Sequence, residues 1–107
     1  MMDGKERAAL ERLLEIAKHD SGGSRRVADF LLAWWNPGVC GKFDPTDTWY
    51  LDQAVCKDIQ TVFAVLMRLR VYPDSLGYGA EFRQIQALWR DLLPAPAEQA
   101  VAGGSLR

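Results

Sequence analysis

The sequence predicts an all-α protein of one domain, a small four-helix bundle with a short extra helical turn before the third long helix. Four stretches repeat apolar residues at intervals of three and four, the period of a helix that buries one face. Glycine and proline clusters separate these stretches, and no segment shows the strict alternation of a half-buried strand. With 107 residues the chain can bury a single core. We expect the helical domain to cover residues 1–93.

The first predicted helix runs from about Lys5 to His19. Asp3 and Glu6 have the spacing of a capping box, in which each side chain accepts a bond from the other residue's backbone N–H. An apolar stripe follows at helical spacing: Leu10, Leu13, Leu14 and Ala17. Residues 21–23, Ser-Gly-Gly, predict a break after this helix.

The second predicted helix begins after Ser24, a good N-cap, and ends at Asn36, because the proline that follows cannot continue a helix. Eight of the nine residues from 27 to 35 are apolar, and Asp29 is the exception. A helix that is apolar nearly all the way round is buried on several sides. We therefore expect a central helix, or one that also offers a face to a partner, followed by a loop over residues 37–43.

Two further helices are predicted in the second half of the chain. Asp44 and Pro45 have the form of an N-cap and a first helical position, which predicts one helical turn over residues 45–50. The third long helix begins after Asp52 and runs to about Arg70. Its apolar stripe consists of Val55, Ile59, Val62, Phe63, Leu66 and Leu69.

The fourth predicted helix covers about Ala80 to Leu92, and Pro94 stops it. One face of this helix carries Phe82, Ile85, Leu88, Trp89 and Leu92. The tail from residue 94 to 107 is rich in alanine, proline and glycine, so we expect it to be disordered.

Composition argues against several classes of function. The net charge is −1, without the basic excess of a dedicated nucleic-acid binder. Two cysteines and one histidine are too few for a structural zinc site, and no catalytic or nucleotide-binding motif is present. We predict no enzymatic activity, no metal and no cofactor. The N-terminus lacks an apolar signal region and no apolar run could span a bilayer, so we expect a cytoplasmic protein without membrane contact and with reduced thiols.

The sequence offers one set of candidate partner-binding residues: Arg25, Arg26 and Trp35, with Asp44 and Asp47 in the loop beside them. Tryptophan and arginine are favoured interface anchors. Adjacent residues on a helix point about 100° apart. Trp34 can therefore fill the core while Trp35 lies on a second stripe. That stripe is either an interface or is covered by the other helices, and both readings stay open.

The turn from Ser21 to Arg26 supports an alternative, an anion- or nucleotide-binding site formed by Ser24, Arg25 and Arg26. A glycine-rich turn that leads into a helix exposes N–H groups, and arginines add charged donors. The competing interpretation is that the arginines pair with local acids, such as Asp29 or the 44–52 group. Weak DNA binding by a helix-turn-helix is a third option, but a recognition helix needs an exposed polar face and the second helix is almost wholly apolar.

Four segments of the chain are distinctive: A-L-E-R-L-L-E-I-A-K-H-D-S-G-G-S-R-R-V-A-D-F-L-L-A-W-W-N, G-K-F-D-P-T-D-T-W, Y-P-D-S-L-G-Y and F-R-Q-I-Q-A-L-W-R. Together they resemble a family of small proteobacterial proteins of unknown function, often encoded on integrative or conjugative elements, over about residues 8–93. The resemblance implies no activity or site. It implies mobile-element cargo, for which we expect a protein-binding or regulatory module that docks on a host or element-encoded protein and opposes host defence. Self-association into a homodimer is a second option.

Overall fold

The computed structural model describes residues 1–90, and this part of the chain contains helices joined by short irregular segments and no strand. The elements are α1 (Gly4–Ala17), α2 (Gly22–Trp35), α3 (Pro37–Cys40), a first 3₁₀ helix (Pro45–Tyr50), α4 (Gln53–Leu69), a second 3₁₀ helix (Pro73–Leu76) and α5 (Gly79–Trp89). The predicted all-α fold with four long helices is confirmed. The expected end of the last helix at Leu92 and the tail from Pro94 lie outside the described residues.

Three of the predicted helix starts are confirmed by their caps. Asp3 accepts a bond from the backbone N–H of Glu6 at 2.8 Å, and Glu6 accepts one from Asp3 at 3.0 Å, which completes the capping box of α1. Asp52 caps α4 through the N–H of Val55 at 2.9 Å. Asp44 caps the first 3₁₀ helix, as its spacing before Pro45 predicts.

The predicted start of α2 at Ser24 is wrong, because the N-cap is Ser21. The hydroxyl of Ser21 accepts a bond from the Ser24 N–H at 3.0 Å, so the helix begins one turn earlier. Gly22 and Gly23, predicted as a break, form the first turn of the helix. That turn tolerates glycine because its N–H groups have no partner inside the helix in any case.

The predicted loop over residues 37–43 is also partly wrong, since Pro37–Cys40 form the short helix α3. Proline ends the preceding helix but is equally suited to the first position of a new one. The backbone of Gly41 lies very close to that of Pro37 at the start of this helix. A Cβ at position 41 would lie 2.4 Å from the carbonyl oxygen of Pro37. Only glycine fits this position without a shift of the backbone.

Helices α1 and α2 share the centre of the molecule. α1 packs against both α2 and α4, while α2 also packs against α3 and α5. Six consecutive residues of α2, from 27 to 32, are buried, as the nearly all-round apolar pattern predicts. The predicted stripe of α1 is buried in full: Leu10, Leu13, Leu14 and Ala17.

Ion pairs fasten α1 to α4 in an antiparallel arrangement. Arg12 donates two bonds of 2.9 Å to Asp58, and Arg68 donates bonds of 2.7 and 2.8 Å to Glu6. The bonds from Arg68 lower the pKa of the Glu6 carboxyl to about 2. None of the helices within residues 1–90 combines the length and apolarity needed to cross a bilayer.

Candidate functional site

Helix α4 carries more apolar surface than its contact with α1 covers. Of the predicted stripe, Ile59 and Val62 are buried, while the ring of Phe63 is 48% exposed. Ile59, Phe63 and Leu66 follow the i, i+4, i+7 spacing and form a second stripe that is turned partly to solvent.

This second stripe forms one wall of an apolar groove between α2 and α4. Residues Phe30, Ala33 and Trp34 of α2 form the other wall, and the segment from Phe43 to Thr48 closes one end. The groove encloses about 570 Å³ and is lined by Phe30, Ala33, Trp34, Phe43, Pro45, Thr48, Ile59, Gln60, Phe63 and Leu66. None of these ten residues is charged, and the hydroxyl of Thr48 already donates to the carbonyl of Pro45 at 2.8 Å, so the lining offers mainly apolar contacts.

The two helices that flank the apolar groove run in the same direction. Near the start of α2, Arg26 pairs with Asp47 of the first 3₁₀ helix, which leads into α4. Near its end, the indole N–H of Trp34 donates to the carbonyl of Val71, just beyond α4, at 3.0 Å. The first turns of both helices therefore lie at the same end of the groove, which we call its beginning. Their last turns lie at its other end.

Exposed charged residues lie near both ends of the apolar groove. Asp44 lies between two lining residues at the beginning, where bonds from the backbone and side chain of Thr46 lower the pKa of its carboxyl. Arg70 lies at the other end, where it forms the left-handed C-cap of α4 and donates to the carbonyl of Met67 at 3.3 Å. Lys42 flanks the lining residue Phe43 on the side opposite to Asp44 and is also exposed, so charges of both signs lie near the beginning of the groove.

Large exposed side chains adjoin the apolar groove in sequence. Trp49, which follows the lining residue Thr48, is 78% exposed, and Met67, which follows Leu66, is 53% exposed. No sequence pattern described above indicated either residue or the groove. The width of the apolar arc of α4, where Phe63 and Met67 fall outside the stripe that faces α1, could have indicated Met67 and the groove, but it carries no signal for Trp49.

The predicted partner-binding residues do not come together in one patch. Arg26 and Asp47 are joined at 3.2 Å, and the guanidinium of Arg26 also lies 4.2 Å from the centre of the Tyr50 ring. Trp35 lies nine positions further along α2, or about 14 Å. Its indole N–H donates to Asp74 at 2.7 Å.

Trp35 borders a second, more polar cleft of about 510 Å³, lined also by Asn36, Pro37, Tyr72 and Gln86. Its ring lies 6.1 Å from that of Phe82 at a tilt, so the residue is half-buried against α5. Trp35 packs against other elements of the fold and also faces solvent. Its role in partner binding therefore stays a prediction.

Asp29, the acidic residue in the apolar run of α2, lies at the centre of a buried cluster. It is 1% exposed and accepts bonds from two arginines: Arg25, at 2.8 Å, and Arg90, which follows α5. Arg90 also donates to the carbonyl of Cys40 at 3.2 Å. The predicted pair with Arg25 is confirmed, and Arg26 instead turns to the first 3₁₀ helix.

The residues of the anion-site alternative are already engaged within the protein. The N–H of Ser24 donates to Ser21, and its buried hydroxyl accepts a bond from the same residue at 2.9 Å. Arg25 and Arg26 each have a carboxylate partner, which agrees with the competing interpretation that they pair with local acids. Within residues 1–90, no group of three or more histidine, cysteine, aspartate or glutamate side chains is arranged to hold a metal ion.

Residues 7–90 match DUF7673, a family of unknown function. The chain belongs to this family. No curated protein and no solved structure matches the chain. The DUF7673 match includes α2, α4 and the segment between them, so the whole lining of the apolar groove lies within the family region.

Proposed function

We propose that this DUF7673 member is a non-enzymatic protein-binding module whose apolar groove receives an apolar segment of a partner protein. One observation carries the proposal: ten residues line a groove of about 570 Å³ without a single charge, and one of them, Phe63, is half exposed. Contiguous exposed apolar surface of this kind is typical of protein–protein and ligand-binding sites.

The lining favours a protein segment over a small molecule. Small-molecule sites place a few polar groups so that they fix the orientation of the ligand. Here Thr48 and Gln60 are the only polar side chains among the ten. An apolar side chain of a partner needs no such groups, because its burial is favourable at about 25 cal/mol per Å² whatever its orientation.

The anchors that we propose differ from those that the sequence suggested. Asp44 remains, as an exposed carboxylate near the beginning of the groove, and Arg26 with Asp47 supports the adjacent Tyr50. Phe63 replaces Trp35 as the central aromatic anchor.

The setting of the interaction is a further part of the proposal. The resemblance to proteobacterial proteins of mobile elements supports a role in the cytoplasm of a bacterium, where the partner is a host or element-encoded protein. Opposition to a host defence system fits a small module without enzymatic motifs, since such a module acts by occupying a surface.

Affinity capture from a bacterial lysate tests the proposal. Wild type, Phe63→Glu and Leu88→Glu are compared after nuclease treatment, and retained proteins are quantified by mass spectrometry. Leu88 is a matched control, because it is also an exposed apolar residue on a helix but lies outside the groove. We expect a protein that wild type and Leu88→Glu retain and Phe63→Glu loses. Identical retained proteins in all three samples would contradict the proposal.

The anion-binding alternative has its own test in thermal melts with phosphate, or with ATP and Mg²⁺. A ligand present at 100 times its Kd stabilises the folded state by about 2.7 kcal/mol. The arginines of that site already have carboxylate partners, so we expect no shift. A clear shift that Arg25→Ala removes would favour the alternative.

A further inference from the structure

The second cleft, which Trp35 borders, differs from the apolar groove in the side chains that it offers. Its lining consists of Trp35, Asn36, Pro37, Tyr72 and Gln86. Two of these five residues are large aromatics, two are amides, and none is charged. At about 510 Å³ the cleft has the size of a small-molecule site. Its amides are the kind of polar group that fixes the orientation of a ligand in such a site.

Two adjacent indoles of α2 hold the segment that carries Tyr72. The N–H of Trp34 donates to the carbonyl of Val71 at 3.0 Å, and the N–H of Trp35 donates to the carboxylate of Asp74 at 2.7 Å. The proline that follows Tyr72 is buried and restricts the backbone of Tyr72 to the extended conformation observed. Tyr72 therefore lies between two anchored positions, yet its side chain is 60% exposed. The fold thus presents an exposed aromatic ring at the cleft on a fixed backbone.

Gln86 of α5 provides a polar edge in the same cleft. One of its side-chain N–H groups points to the sulfur of Cys40, at 3.9 Å. A glutamine amide has two N–H donors and one oxygen acceptor, and within residues 1–90 that oxygen accepts no bond. One donor and one acceptor of Gln86 therefore remain for a ligand.

We infer that the second cleft binds a neutral nucleobase, as the free base or a nucleoside, with its ring stacked on Tyr72 and its edge bonded to Gln86. Stacking on an aromatic side chain needs only the flat face that every base has. A glutamine amide pairs its donor and acceptor with the edge of adenine, so adenine is the preferred base. This site is separate from the apolar groove, and the inference does not depend on the proposed function.

The charges around the second cleft favour a neutral ligand over a nucleotide. Phosphate groups bind to arginine or lysine side chains and to free backbone N–H groups. Two arginines lie near the cleft in sequence, and both interact with other groups. Arg83, on the turn of α5 before Gln86, lies 4.0 Å from Asp74, and Arg70 donates to the carbonyl of Met67 at 3.3 Å. The net charge of −1 also disfavours the backbone of a nucleic acid.

Isothermal titration calorimetry of the full chain with adenosine, guanosine, cytidine and uridine tests the inference. We expect saturable binding, tightest for adenosine. Tyr72→Ala should weaken it at least about fivefold, the lower end of what stacking on an aromatic side chain contributes. Tyr72→Phe should bind like wild type, because it keeps the ring. Tyr50→Ala is the matched control, since Tyr50 is also an exposed tyrosine but lies outside the cleft.

The variant Gln86→Leu separates the two parts of the recognition. Leucine has a similar size but cannot bond to a base edge, so we expect this variant to lose the preference for adenosine. Tyr72→Ala should instead weaken all four nucleosides by a similar factor, because stacking does not depend on the edge of the base. An unchanged preference in Gln86→Leu would overturn the role of Gln86.

Four results would overturn the inference as a whole. The first is the absence of binding up to about 10 mM nucleoside, well above a Kd of about 1 mM. The second is binding that Tyr72→Ala leaves unchanged, which would place the nucleoside elsewhere. The third is binding of AMP or of a single-stranded oligonucleotide at least about tenfold tighter than that of adenosine, which would assign the cleft to a charged ligand.

The fourth result concerns sugars, which also bind to aromatic and amide side chains. A methyl glucoside that binds in place of the nucleosides, and that Tyr72→Ala loses, would assign the second cleft to a sugar. The variant Phe63→Glu keeps this test apart from that of the proposed function. It alters the apolar groove alone, so it should bind adenosine like wild type.

Discussion

The two sides of α4 differ in whether ion pairs border their apolar residues. On the side that faces α1, two bidentate ion pairs border the buried residues Val62 and Val65. These pairs are Arg12 with Asp58 and Arg68 with Glu6. On the side that faces the apolar groove, Phe63 and Leu66 have no charged neighbour in the lining. The same helix therefore has one closed side and one open side.

This difference separates surface that the protein uses for itself from surface that is available to another molecule. Exposed ion pairs contribute about 0–1 kcal/mol each, so the stability of the α1–α4 contact comes mainly from the apolar burial beneath them. The pairs add direction, since a bidentate arginine fixes its carboxylate geometrically. On the open side, which lacks such pairs, the apolar residues remain available for contact with another molecule.

The largest expected effect is on the closed interior, at Asp29. The variant Asp29→Ala leaves Arg90 largely buried without its carboxylate, and breaking a buried pair from one side costs about 3–5 kcal/mol. Urea unfolding followed by circular dichroism measures the loss. The variant Arg25→Ala should lose less, since its side chain is half exposed. Equal losses would mean that Arg90 does not depend on Asp29.

A second substitution removes apolar volume from the same interior. Leu31 is 0% exposed on α2, so Leu31→Ala should cost about 2–5 kcal/mol in unfolding free energy. Urea unfolding measures this loss as well. A loss under about 0.5 kcal/mol would contradict the central position of α2.

The third prediction concerns the ion pair on the closed side of α4. Because the folded state lowers the pKa of Glu6 from 4.5 to about 2, the pair stabilises the fold fully above pH 4.5. This contribution falls as the pH drops from there towards 2. The difference in urea midpoint between wild type and Glu6→Gln should therefore narrow over that range. A difference that is constant with pH would contradict an ionised pair.

The smallest effect on stability is expected on the open side. Phe63→Glu should change the unfolding free energy by less than about 1 kcal/mol, because the ring is half exposed and the groove is open to water. The same urea unfolding assay measures it, with Leu88→Glu as the control. A loss of unfolding free energy as large as that of Leu31→Ala would show that Phe63 belongs to the core. The two sides of α4 would then not differ as described.

The sequence predicted the closed parts of the molecule better than the open one. Periodicity and caps predicted the four long helices and the first 3₁₀ helix, because Asp3, Asp44 and Asp52 act through neighbours two or three residues away. The buried state of Asp29 was foreseeable from its apolar surroundings, and its local partner Arg25 from the spacing of four. The second partner, Arg90, lies 61 residues away, and no local pattern indicates it.

The groove escaped prediction for the same physical reason. Periodicity shows which residues of a helix are apolar, but not which of two apolar stripes a neighbour covers. On α4 this assigned Phe63 to the core, and on α5 it assigned Leu88, yet both are exposed. Which stripe stays open depends on how α1, α2 and α4 are arranged in space.

The bond between Arg90 and Asp29 also has a consequence for the order in which the chain can complete its structure. During synthesis the residues of α1, α2 and α3 emerge first, and Asp29 then has Arg25 alone as a partner. The other carboxylate oxygen of Asp29 gains its arginine partner only when residue 90 has left the ribosome and reached it. Because Arg90 bonds both Asp29 of α2 and the carbonyl of Cys40 in α3, the arrival of residue 90 after α5 joins these two earlier helices through one side chain.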